Sequence, residues 1–234
     1  MLALLASFLL GSTTAANAAY PANWESWYTI TVNKIPYAYY SEKHELKNGK
    51  HYFLNQVWKK EGDFINEEQV GVVAAKDAEL SQLFFNFHSN YRATETTVDG
   101  AVKDQLVTVR VKRGNQDLPT LRKPMPKNSF FSIFFPVWLS KQLPSMKKGK
   151  SLSYLTIFED NLDAGFSPVN GRVELAKPDE FAIKHKAHKL IVTNSSMKST
   201  WWVDDNGSSI KIDNPQQATV VERVTRAQAE SFLK

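Results

Sequence analysis

The run Asn128-Ser-Phe-Phe-Ser-Ile-Phe-Phe-Pro-Val-Trp-Leu-Ser-Lys-Gln-Leu143 is the most apolar part of the 234-residue sequence beyond its N-terminus, and its reading decides the fold. Ser132 is placed to cap a helix, and Pro136 falls in that helix's first turn, where a missing N–H breaks no intrahelical bond. Pro144 then ends the helix after roughly three turns. Such a helix is too short to cross a bilayer. It sits in a basic frame. Between Leu118 and Phe158 the charged residues are Arg122, Lys123, Lys127, Lys141, Lys147, Lys148 and Lys150, with no Asp or Glu. These seven exceed the net +5 of the whole chain, so the remainder is slightly acidic. An apolar helix in that frame is buried in the fold, closed over a ligand, or set against an anionic surface.

On either side of this helix the pattern has a period of two. Before it, Trp27, Thr29 and Thr31 alternate with Tyr28, Ile30 and Val32, and a turn near Asn33-Lys34 leads into a return strand through Tyr40. Asn48-Gly49 is a two-residue hairpin signal joining Tyr37–Leu46 to His51–Lys59, and Gly62 marks the passage to Phe64–Ala74. Leu80, Leu83, Phe84 and Phe87 fall at helical spacing. However, Phe85, Phe87, Ser89, Tyr91 and Ala93 alternate with polar neighbours over ten residues, so a strand is expected from Leu83 onward, with a short helical turn at 76–81. Val107, Val109 and Val111 give the clearest strand.

After it come Ser151–Phe158, Val169–Ala176, Phe181–Lys184 and His188–Asn194, short runs separated by Gly, Pro or Asp, which is an all-β cadence. Thr200–Asp204, the turn Asp205-Asn206-Gly207, and Ser209–Asp213 form a hairpin, and Thr219–Val224 adds another strand. Thr225 with Gln228 makes a capping box that opens a last helix, Arg226–Leu233. The expected fold is mainly β: a single curved antiparallel sheet or half-barrel of nine to twelve strands, with a short aromatic helix and a C-terminal helix.

Residues 1–19 read as a cleaved signal peptide, from the apolar run Leu2–Leu10 and the Ala16-Asn17-Ala18 cleavage pattern. Residues 20–234 then form one β-rich domain that is periplasmic or secreted. The chain has no cysteine, which excludes disulfides, thiolate zinc sites and thiol nucleophiles. An exported chain without disulfides is held by its core.

Trp201-Trp202-Val203-Asp204-Asp205-Asn206-Gly207 with Ile210-Lys211-Ile212, and Glu222-Arg223-Val224-Thr225-Arg226 leading into Ala227 and Ala229, resemble the closing segment of bacterial secreted β-rich proteins of unknown function. Among these are the non-catalytic N-terminal regions found ahead of transglutaminase-like domains. Trp27–Tyr40 resembles their opening. The resemblance implies a curved antiparallel sheet similar to that of the outer-membrane lipoprotein carriers, with helices in or over its concave face. It brings no catalytic motif.

The sequence holds no G-x-S-x-G, no phosphate-binding loop and no H-E-x-x-H, so no enzyme activity, metal or cofactor is expected. His185 and His188 are three apart, which on a strand puts them on opposite faces, and lysines flank both. Glu159-Asp160-Asn161 with Asp163 and Gly165 has the wrong oxygen spacing for a calcium loop and reads as an acidic turn. Nucleic acid is disfavoured, because the aromatics are too consecutive for a stacking strip.

The expected function is an exported, non-enzymatic binding or carrier protein for an apolar or lipid-like ligand at the cell envelope. In that reading Phe130, Phe131, Phe134, Phe135 and Trp138 line or close the ligand cavity, while Lys127, Lys141, Lys147 and Lys148 face an anionic headgroup in peripheral membrane contact. The alternative is an accessory module that recruits an envelope protein, its aromatic helix being plain core.

Overall fold

The computed structural model describes residues 23–77, 81–160 and 165–234. The signal peptide expected at 1–19 lies outside them, as do residues 78–80 of the helical turn expected at 76–81. Strand occupies 60% of the described residues, which makes the class mainly β.

The first half is a meander of long strands: β1 (Trp24–Val32), β2 (Ile35–Lys47), β3 (Lys50–Glu61), β4 (Phe64–Ala75), β5 (Gln82–Tyr91), β6 (Thr94–Lys103) and β7 (Leu106–Arg113). Three short pieces follow, β8 (Gln116–Asp117), β9 (Leu121–Pro124) and β10 (Ser129–Phe131), and then helix α1 (Phe135–Gln142) with a 3-10 turn at each end. The second half runs β11 (Ser151–Ile157), β12 (Val169–Leu175), α2 (Glu180–His185), β13 (His188–Asn194), β14 (Met197–Val203), β15 (Ser209–Asn214), β16 (Thr219–Val224) and α3 (Arg226–Ser231). The strands form one curved, unclosed sheet that follows sequence order, with β16 pairing β1 so that the two ends of the chain meet in its middle. Every pair is antiparallel except β10 with β11. The sheet is open between β9 and β10, where the aromatic segment leaves it.

That segment fills the concave face. From Ser132 to Ser145 it is helical throughout, with Pro136 in the first turn of α1 and Pro144 in the closing 3-10 turn. Phe131 and Leu139 have no exposed surface. Phe131 packs on Phe85 of β5, Phe134 on Phe53 of β3, and Phe135 meets Trp201 of β14 edge-on at 5.2 Å between ring centroids. Three distant strands thus hold the aromatic segment, whose helix is too short to persist alone. Across β5 and β6 the Phe85 ring occupies the place that a Gly100 side chain would take, and Gly100 leaves room for it.

Three expectations need correcting. Ser132 does not cap the helix: its hydroxyl donates to Glu159 (2.5 Å), and the cap position is Phe131, which makes no side-chain cap bond. Phe181–Lys184 is not a strand but part of α2, because Asp179 accepts from the Ala182 N–H (2.9 Å) and Lys186 closes the helix at φ 51°. The described residues form sixteen strands in place of nine to twelve, the additional ones being β6 and the short β8, β9 and β10. The capping box of Thr225 and Gln228 on α3 is present as expected.

Trp201 and Trp202 show the two faces of the sheet. Trp201 points into the concave core, whereas the Trp202 indole N–H donates to Asp179 (3.0 Å) and its ring meets Phe181 of α2 on the convex side.

Candidate functional site: a lysine-rimmed cleft beside the aromatic segment

The approach of α1 to the sheet leaves a cleft of about 920 Å³ along one side of it. Its apolar lining comes from Phe130, Phe134, Val137 and Trp138 on the aromatic segment, Leu83 on β5 and Met125 ahead of β10. Lys103, Lys127 and Lys141 also line it, against Asp104 alone among carboxylates of the described lining. Met125 N–H donates to Gln105 O (2.7 Å), which ties the 125–128 segment to the β6–β7 turn and so brings Lys127 to the same mouth as Lys103. Gln82 stands at the wall, where its side-chain oxygen accepts the Phe131 N–H (2.6 Å) and satisfies a donor of an edge strand.

Trp138 is the half-buried centre of the aromatic group. Its ring stacks on Phe130 and on Phe135, each at 5.8 Å and 23°, and Tyr154 of β11 lies 5.2 Å away. The Tyr154 hydroxyl donates to Asn194, and burial pushes its pKa up.

The five aromatic residues singled out in the sequence therefore divide. Phe130, Phe134 and Trp138 border the cleft and Phe131 and Phe135 do not, but all four phenylalanines are core residues, Phe130 and Phe134 being only 6% and 3% exposed, and Trp138 alone is half-buried. The four lysines divide too. Lys127 and Lys141 are exposed and reach the cleft, whereas Lys147 and Lys148, also exposed, lie in the connection from α1 to β11 and do not line it. Sequence reasoning missed Leu83, Lys103 and Met125. Lys103 ends β6, a strand that was not expected, so its place at the mouth had no signal.

On the other side of the aromatic segment lies a cavity of about 230 Å³, lined by Ser132 and Ile133 together with Glu42, Glu68, Glu159 and Asp160. Glu159 is 2% exposed and grips the start of the helix, accepting from the Ser132 hydroxyl and from the Ile133 N–H (3.2 Å). Burial raises its pKa to about 7 despite those donors. Burial also raises Glu42 to about 7, opposed by the nearby Tyr28 hydroxyl and the Arg223 charge. Glu42 Oε2 and the Tyr28 hydroxyl nonetheless lack a hydrogen bond of good geometry. Arg223 is held by Asp204 (2.9 Å) and the Ser209 carbonyl (2.8 Å). No group of three or more metal-ligating side chains converges among the described residues.

No protein-family model matches this chain, and no curated protein does. A solved structure, that of a DUF1089 family protein from Pseudomonas aeruginosa, aligns over 93% of this chain and 97% of its own. It is 14% identical with a TM-score of 0.41, a level at which no residue role passes from one protein to the other. These comparisons give no link to the lipoprotein carriers or to transglutaminase-like proteins.

Proposed function

We propose that this protein is an exported, non-enzymatic binding protein for an amphiphile with an apolar body and an anionic head, held in the cleft beside α1. The observation that carries the reading is the cleft's composition: aromatic and aliphatic side chains along the floor and three lysines around it. A volume of about 920 Å³ is ample for one acyl chain, and clefts of this order hold small apolar ligands with few polar groups fixing orientation. Lysine suits the headgroup end, because its stem packs on apolar surface while its ammonium stays in water. The Leu2–Leu10 run and the Ala16-Asn17-Ala18 pattern support export, and the resemblance to lipoprotein carriers agrees with an apolar cargo.

A second reading, an accessory module whose aromatic segment is core alone, is favoured by the full burial of Phe131 and Leu139. It leaves the lysines around the cleft without a role.

Titration with a fluorescent fatty acid separates the two. Lys127→Glu with Lys141→Glu should weaken binding by roughly tenfold or more, as the loss of charge-assisted contacts predicts, and should leave the fold intact because both side chains are exposed. Trp138→Ala should cost about 1 to 2 kcal/mol of stability, less than a fully buried aromatic, and should also weaken binding. Absence of saturable binding, or an affinity indifferent to both changes, overturns the reading.

A further inference from the structure

We propose that the protein docks onto an anionic lipid bilayer by the end of the sheet that carries the cleft mouth, with that mouth turned toward the headgroups. The observation is a charge asymmetry between the two ends of the strands. At the mouth end, Lys50 follows the Asn48-Gly49 turn, Lys76 follows β4, and Lys103 precedes the β6–β7 turn. Lys127 is brought there by the Met125–Gln105 hydrogen bond, and Lys141 lines the cleft beside it. Since β11 runs parallel to β10, the connection carrying Lys147 and Lys148 reaches β11 at this end as well. Against these stand Asp77 and Asp104 in the turns after β4 and β6, and Asp204 and Asp205 in the β14–β15 turn, of which Asp204 is paired with Arg223 and Asp205 with His188. At the opposite end the turns mix signs evenly, with Lys34, Arg92, Lys112 and Arg113 beside Glu61, Asp63, Glu95 and Asp117.

The lysines at the mouth end are spread over separate turns, so no single small anion reaches them all. A plane of anionic headgroups does. Their fields already overlap: burial, then the Lys76 and Lys141 charges, hold the pKa of His51 down. Leu83 and Leu106, 37% and 40% exposed, stand among them and reach the depth at which a peripheral protein seats apolar side chains. Each lysine near an anionic surface adds several-fold to affinity, and the attraction fades within a Debye length as salt is raised. Docking rests on the cleft reading only for the orientation of the mouth.

The test is co-sedimentation of the protein with phosphatidylcholine vesicles, with and without phosphatidylglycerol, at low and high salt. Association should require phosphatidylglycerol and fall with salt. Lys50→Glu with Lys76→Glu, neither of which lines the cleft, should weaken it on the order of thirtyfold or more. The same charge change at the far end, Lys34→Glu with Lys112→Glu, should alter it less than about threefold, the effect of net charge alone. Fatty-acid binding in solution should be unchanged in the Lys50 and Lys76 variant. No association with anionic vesicles, association that ignores salt, or equal loss from both pairs overturns the proposal. Vesicle binding that persists in this pattern while soluble fatty acid fails to bind would sustain docking and remove the cleft reading.

Discussion

Gly207→Val should destabilise the fold by roughly 3 to 5 kcal/mol, far more than a turn glycine normally costs. Gly207 has φ +76°, where a β-branched residue is strained by itself, and a Cβ there would stand 2.2 Å from Pro136 O and 2.9 Å from Ser140 N. Those are backbone atoms of α1, so no side chain can swing away. The turn cannot easily yield either, because Asp204 accepts from the Asn206 and Ser208 N–H groups (3.0 Å each) and is clamped by Arg223. Gly49→Val isolates the conformational part: Gly49 has φ +69° with nothing within 4 Å of its would-be Cβ, and the change should cost about 1 to 2 kcal/mol. Urea unfolding of both variants decides the matter. Equal losses would mean that the Gly207 turn does not bear on α1, and the account of how the helix is held would fail.

The Gly207 turn also marks the boundary of what the sequence reveals. Asp205-Asn206-Gly207 announces a hairpin, because only certain residues tolerate its backbone. Nothing local announces that the turn rests on a helix some seventy residues earlier. The same limit explains β6. Its preceding turn, Arg92-Ala93, has φ 48° and 63° without a glycine or asparagine, so the alternation from Phe85 runs straight through it in the sequence. Inside β6 the apolar alternation breaks at Gly100, whose missing side chain is supplied by Phe85 from the neighbouring strand. With the middle position empty, Val98 and Val102 are left as the only large apolar residues on that face, too few for the alternation to show.

Burial of the aromatic segment was legible in kind but not in direction. The Phe cluster and its proline brackets predicted a short helix that needs support, and β3, β5 and β14 provide it. Which aromatics face the cleft depends on where the sheet opens, between β9 and β10, and that is fixed by pieces of two to four residues too short to leave a pattern. Glu159 was hidden for a related reason. In sequence it belongs to a run of turn-forming polar residues, and only the fold brings it under Ser132, where it holds the helix start instead of facing water.

That placement leads to the second large effect: stability should fall by roughly 2 to 3 kcal/mol per group between pH 5 and pH 8 through Glu42 and Glu159. Both have native pKa values raised to about 7, while an unfolded glutamate titrates near 4.5. Between those values the native state binds more protons than the unfolded one. Their contribution is therefore fully present below pH 4.5 and is lost as pH rises through 7, when a charge must be carried in a buried site. Asp160, also raised by burial, adds in the same direction. His51 acts with the opposite sign: its pKa is lowered by burial and by Lys76, so its contribution is lost as pH falls through its unfolded value near 6.5. The wild-type curve is then a sum of opposing slopes, and a variant isolates the carboxyls. Glu42→Gln with Glu159→Gln removes both charges, and the carboxamide oxygen introduced by Glu159→Gln would still accept from Ser132 or Ile133. Urea unfolding at pH 5 and pH 8 should show the wild type losing roughly 4 to 6 kcal/mol relative to the double variant. A difference that stays constant across that range would place both carboxyls in contact with water, and the grip of Glu159 on the aromatic segment would have to be abandoned.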